Sequence, residues 1–113
     1  MTGYDFHPQA RADLDEIWEF IRGDSIDTAD RTIAEILSAV RTLVRFPNQG
    51  HMRPDLTSRP LRFIRVREYL MAYAPEEKPL WVAAVMHGRR NPRIMAAILR
   101  GRESLPTNPK SKT

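Results

Sequence analysis

The sequence contains no cysteine, which excludes a disulfide framework and a thiolate zinc site and fits a reducing compartment. No apolar run approaches the roughly 18–20 residues that a membrane-crossing helix needs. The opening Met-Thr-Gly-Tyr-Asp-Phe-His lacks the basic-then-apolar order of a signal peptide. The chain is therefore expected in the cytoplasm, with no membrane partner. No glycine-rich phosphate loop occurs. His7, His51 and His87 have no metal-ligand spacing, so neither a metal nor a cofactor is expected. Ser25, Ser38, Ser58 and Ser104 lack nucleophile context. The second half holds no lysine up to residue 77, and its cations there are arginines.

What is present is ordinary for a soluble domain: 113 residues, 42% hydrophobic and 28% charged. The charge is unevenly spread. Residues 1–40 carry nine Asp/Glu against three Arg, a balance of −6, and residues 41–113 carry fifteen Lys/Arg against five Asp/Glu, a balance of +10, which together give the net +4. Such asymmetry suggests a basic surface facing nucleic acid or an acidic protein.

Tyr4 and Phe6 alternate with polar neighbours, as in a short strand. Pro8 suits a first helical turn. Ala10, Leu14, Ile17, Trp18 and Ile21 then recur at helical spacing, and Gly23 ends that helix. Asp27 is expected to cap a second helix with Ile33, Ile36, Leu37, Val40, Leu43 and Val44 as its stripe. It stops near Phe46, before Pro47-Asn48-Gln49-Gly50. The short link favours an antiparallel helical hairpin. Residues 50–60 read as a loop. Strands follow at Leu61–Arg67, Tyr69–Ala74 and Leu80–His87, joined closely enough for an antiparallel meander. Asn91-Pro92 opens a last helix that carries Ile94, Met95, Ile98 and Leu99 and ends before Gly101. The order is β-α-α-β-β-β-α. It predicts an α+β fold: a short strand, a helical hairpin on a three- to four-stranded antiparallel sheet, and a C-terminal helix. One domain is expected over residues 1–103, with a disordered tail over 104–113. Trp18 and Trp81 read as core.

The alternation in Leu61–Arg67 places Arg65 and Arg67 beside Phe63, with Arg62 at the strand's end. In the last strand His87 is expected to share a face with Val85, Ala83 and Trp81. A meander would then bring these arginines near His87, Arg89 and Arg90, forming an anion-binding surface. Each arginine alone also suits a solubilising strand edge, and His87 alone suits a structural hydrogen bond. The carboxylates of the helical hairpin read as a solvated face. Composition and spacing stop at a small basic domain that binds an anion or a protein.

An ordered set of small motifs goes further. Phe6, Ala10, Asp13-Leu14 and Ile17 come first, then Leu43-x-x-x-Pro47-x-x-Gly50 and Leu61-Arg62. Tyr69-x-x-x-Tyr73 and Val82-x-x-Val85-x-His87-x-x-Arg90 close the series. Over residues 3–100 this resembles the RelE/ParE toxin superfamily, most closely its ParE-like branch. The resemblance implies a type II toxin that pairs with an antitoxin as a hetero-oligomer and reaches operator DNA only through the antitoxin. ParE-like members are described as inhibiting DNA gyrase without enzymatic chemistry. The alternative is a RelE-like endoribonuclease that cleaves mRNA on the ribosome. On the first reading Arg62, Arg65, Arg67, Tyr73, Arg89 and Arg90 would contact the target or the antitoxin, with no catalytic residue. On the second, Arg62, Arg65, His87 and Arg90 would be catalytic. The lack of a tyrosine after His87 favours the first. A partner could add a strand at Leu61–Arg67 or Leu80–His87, or lay a helix into a groove.

Overall fold

The computed structural model describes residues 3–103; the expected tail over 104–113 lies outside the described residues. The elements follow the expected order: β1 (Tyr4–Phe6), α1 (Pro8–Arg22), α2 (Ile26–Arg45), β2 (Arg62–Val66), β3 (Tyr69–Ala74), β4 (Leu80–His87) and α3 (Pro92–Glu103).

Local chemistry accounts for where the helices begin. Pro8 occupies the first turn of α1, where its missing N–H has no intrahelical partner to lose, and His7 Nδ1 accepts the Gln9 N–H at 3.0 Å. The cap of α2 is Ser25 rather than Asp27: its hydroxyl accepts the Thr28 N–H at 3.1 Å. Asp27 lies in the first turn, where its charge complements the helix's positive end. Asn91 Oδ1 caps α3 through the Arg93 N–H at 2.7 Å.

The strand order is β1-β4-β3-β2. The meander of β2, β3 and β4 is antiparallel, as expected, while β1 joins β4 in parallel, so the whole sheet is mixed. The hairpin of α1 and α2 buries Ile17, Ile36, Val40 and Leu43 against Met71, Tyr73, Val82 and Val85. On the opposite face Met95 and Leu99 of α3 pack on Phe63, Leu70, Ala72 and Met86. Burying each such side chain contributes roughly 1.5–3 kcal/mol. Cover on both faces explains why β3, Tyr-Leu-Met-Ala-Tyr-Ala, reads as an apolar run with little alternation. The two tryptophans are only half-buried: Trp18 Nε1 donates to Asp30 at 2.8 Å, tying α1 to α2, and Trp81 lies edge-on to His7.

A bulge in β4 breaks its alternation. Ala72 pairs with Ala84 and Tyr73 with Val82, so Ala83 is passed over. Val82 and Val85 therefore both face the helical hairpin, while Ala83 and Ala84 face α3. His87 keeps company with Val85, but not with Ala83 or Trp81 as strict alternation required.

Beyond Val82 the outer side of β4 has no strand beside it among the described residues, because β1 pairs only with Leu80, Trp81 and Val82. Side chains complete it. Asp13 Oδ2 accepts the Val85 N–H at 2.9 Å. Arg102 Nη1 donates to the Ala83 carbonyl at 3.0 Å and, with Nη2, grips Asp13 at 2.7 and 3.0 Å. The Asp13 and Arg102 side chains are only 15% and 10% exposed. Arg102 thereby carries α3 past Gly101, where the sequence suggested a stop.

His7 lies behind this pair, fully buried, with no hydrogen-bond partner for Nε2. Burial lowers its pKa below the ordinary 6.5, and the nearby Arg102 and Arg59 cations add to that against the opposing charge of Asp13. The folded ring stays neutral where the unfolded one takes up a proton, so stability declines as pH falls below about 6.5. Thermal melts across mildly acidic pH are expected to show that decline. His7→Asn keeps a capping side chain and removes this component; an unchanged acid limb in the variant would count against it.

Candidate functional site at one end of the sheet

The β2–β3 turn and the C-terminal end of β4 lie together. His87 pairs with Tyr69 in register, and the two rings meet edge to face at 5.5 Å. His87 Nδ1 accepts the Arg89 N–H at 3.1 Å, and Nε2 lies 3.3 Å from Glu68 Oε1. The Gly88 N–H donates to the Glu68 carbonyl at 2.7 Å. A side chain at Gly88 would sit 3.1 Å from that carbonyl and 3.2 Å from Arg65 Nη1, which explains the glycine. The imidazole thus braces a tight strand-to-helix turn, with its ring tied to a carboxylate and a backbone N–H.

Arg65 is the one β2 arginine brought to this turn. Its Nε donates to the Arg67 carbonyl at 3.1 Å, and its guanidinium reaches toward Gly88. Arg89 and Arg90 are exposed beside it. The other expected contacts go elsewhere. Arg62 pairs with Tyr73 in register, at the opposite end of the strands, and donates to the Gly50 carbonyl at 2.7 Å. Tyr73 is fully buried; its hydroxyl accepts the Gly50 N–H at 2.9 Å and donates to the Pro47 carbonyl at 2.7 Å. Its hydroxyl is thus occupied inside the fold and is not offered at the surface. Arg67 departs from the alternation that placed it beside Arg65. Its φ of 55° turns the side chain to α2, where it grips Glu35 in a two-pronged ion pair at 2.7 and 2.9 Å. That bond holds the Glu35 carboxyl below its usual pKa.

Next to the turn a groove of about 370 Å³ runs between α1 and α3 over the open side of β4. Ile17, Phe20, Val85, Met86 and Ile98 give it an apolar lining, with Asp13 and Glu16 toward α1 and His87 and Arg90 toward the strand end. Phe20 is 80% exposed. Composition hid this groove, although one signal existed: Phe20 falls outside the stripe of Leu14, Ile17 and Ile21. Asp13, read with the solvated carboxylates, is largely covered by the fold. Burial and the Glu68 charge raise the pKa of Tyr69 above its ordinary value. Among the described residues no group of His, Asp and Glu could hold a metal ion, and no helix is long and apolar enough to cross a membrane.

Fold and sheet end together define a class: a small basic α+β module that sets a cationic strand end beside an apolar groove. Residues 4–92 match the family described as ParE toxin of type II toxin-antitoxin system, parDE, and the chain belongs to that family. It also resembles a chain of the chromosomal ParDE TA system from P. aeruginosa, with a TM-score of 0.63 and 20% identity over 77% of this chain and 96% of that one. At that identity the likeness bears on the fold alone. No curated protein matches the sequence.

Proposed function

We propose that this chain is a toxin that arrests growth by binding DNA gyrase without enzymatic chemistry, and that a cognate antitoxin neutralises it in the cytoplasm. Membership of the ParE family supports the toxin class. The observation that carries the non-enzymatic reading is the bonding of His87. Both ring nitrogens are engaged within the fold, by Arg89 N–H and by Glu68. The surrounding arginines hold their protons too tightly to act as bases. Arg65 and Arg90, with Arg89, form the surface offered to the target.

The groove suits the antitoxin. Its apolar floor and its two charged rims, acidic on α1 and basic at Arg90, fit an amphipathic segment with charges of both signs. The hetero-oligomer would reach its operator by sequence-specific contacts of the antitoxin.

Pulse-labelling of DNA, RNA and protein after induction tests the reading. DNA synthesis is expected to fail first. His87→Gln is expected to arrest growth nearly as well as the parent, while the double variant Arg65→Ala/Arg90→Ala loses arrest by at least about tenfold in the inducer needed, as removal of two charged contacts requires. One arrangement favours the RelE-like alternative: the Arg65 guanidinium stands next to the glycine that follows His87. Early failure of protein synthesis, cut mRNA and an inactive His87→Gln would make Arg65, His87 and Arg90 catalytic.

A further inference from the structure

The charge of the strand end continues onto a face of α3 that neither it nor the groove uses. Arg89, Arg90, Arg93 and Arg100 are all exposed at or on α3. Among the described residues the arginine ion pairs belong to Arg11, Arg22, Arg53, Arg67 and Arg102, and none involves these four. Arg93 and Arg100 are seven residues apart, hence on one face of α3 and separated by about 10 Å along its axis. That face is turned away from Met95 and the anchored Arg102, and both arginines are exposed. Ala97 lies between them and Gly101 just past Arg100, both exposed, with open space around Gly101.

Arg100 in the last turn of α3 suits the negative end of the helix, but stability does not explain the arginines at its start. The first turn of α3 has no acidic residue, and Arg89, Arg90 and Arg93 crowd the helix end whose dipole already repels cations. The sequence has no Asp or Glu between Glu77 and Glu103 to relieve the repulsion. A local rule broken in this way points to a ligand.

We infer that the outer face of α3 binds duplex DNA through its phosphates, independently of base sequence. Three features select that partner. Guanidinium groups meet phosphate oxygens in paired hydrogen bonds, and small residues between them allow close approach. Ile94 is the one exposed large apolar residue on α3, so the face lacks the apolar anchors around which protein interfaces form. The α3 sequence, Pro-Arg-Ile-Met-Ala-Ala-Ile-Leu-Arg-Gly-Arg-Glu, has no aromatic ring on which unpaired bases could stack. The toxin then supplies its own grip on DNA beside whatever its protein partners contribute. This surface is separate from the groove and from Arg65, and it meets the surface offered to the target at Arg89; Arg93 and Arg100 belong to it alone.

The test is fluorescence anisotropy of a short random-sequence duplex titrated with the full chain at several salt concentrations. Three phosphate contacts, by Arg89, Arg93 and Arg100, give a plot of log affinity against log salt with a slope of about −3. Arg93→Gln/Arg100→Gln is expected to flatten that slope by about 2 and to weaken binding at least about tenfold at low salt. Arg93→Lys/Arg100→Lys keeps the charge and is expected to keep the slope, and circular dichroism checks that both variants fold. The inference is overturned by an unchanged slope in the glutamine variant. It is also overturned if single-stranded DNA or polyglutamate binds as tightly as the duplex, the latter marking a site for an acidic protein. None of these readouts depends on gyrase or on growth arrest.

Discussion

Asp13→Ala is expected to lower the free energy of unfolding by about 3–5 kcal/mol, the range for a buried ion pair that loses one partner. The change strips Arg102 of both its carboxylate bonds and leaves the Val85 N–H unpaired on the open side of β4. Residues 13 and 102 join the first helix to the last, so the loss should also loosen α3. Arg102→Met is expected to cost a similar amount, about 3 kcal/mol, since Asp13 keeps the Val85 N–H but loses both guanidinium bonds, and the Ala83 carbonyl is abandoned as well. The apolar pair Asp13→Leu/Arg102→Met should recover part of the Asp13→Ala loss, because an apolar replacement of both partners leaves no buried charge uncompensated. Urea unfolding midpoints check all three. A shift for Asp13→Ala below about 0.5 kcal/mol, the size of an ordinary surface substitution, would mean that this pair does not hold α3 in place.

Gly50→Ala comes next, at about 3 kcal/mol. A Cβ there would lie 2.7 Å from the Phe63 carbonyl oxygen and 2.7 Å from the Tyr73 hydroxyl oxygen. Neither can give way cheaply. The carbonyl also accepts the His51 N–H at 2.9 Å, and the hydroxyl is fixed between Gly50 N–H and Pro47 O. Tyr73→Phe removes the same hydroxyl without the clash and is expected to cost about 1–2 kcal/mol by leaving the Gly50 N–H unsatisfied. The double variant should cost less than the two separately, since both disturb one network. Thermal melting separates these outcomes; additive losses would show that the clash is with the Phe63 backbone alone.

How much of this was legible in the sequence depends on the range of the interaction. The element order, the β3 and β4 boundaries and the helical stripes follow from local periodicity, and the structure has them. The α+β architecture follows in turn. What local pattern could not carry was anything fixed by a distant partner. Arg67 looked like a neighbour of Arg65 until its left-handed backbone and Glu35, 32 residues away, turned it to the other side. Asp13 looked like one more solvated acid; its partner lies 89 residues on. The bulge at Ala83 reverses the face of every later residue in β4, and nothing in Leu-Trp-Val-Ala-Ala-Val-Met-His announces it. At the site, the His87–Arg90 stretch and Arg65 were visible as charge at a strand end. The burial of Tyr73 was not legible, because a motif tyrosine can serve a buried hydroxyl as well as a contact. The groove needed α1 and α3 to be set on either side of β4 before it existed at all.

Supercoiling by purified gyrase, titrated with the purified chain, tests the central claim of binding without chemistry most directly. The expected result is inhibition that tracks the molar ratio of chain to gyrase, persists in His87→Gln, and is reversed by adding the antitoxin. Undiminished supercoiling at excess chain, together with mRNA cut on ribosomes by substoichiometric chain, would contradict it.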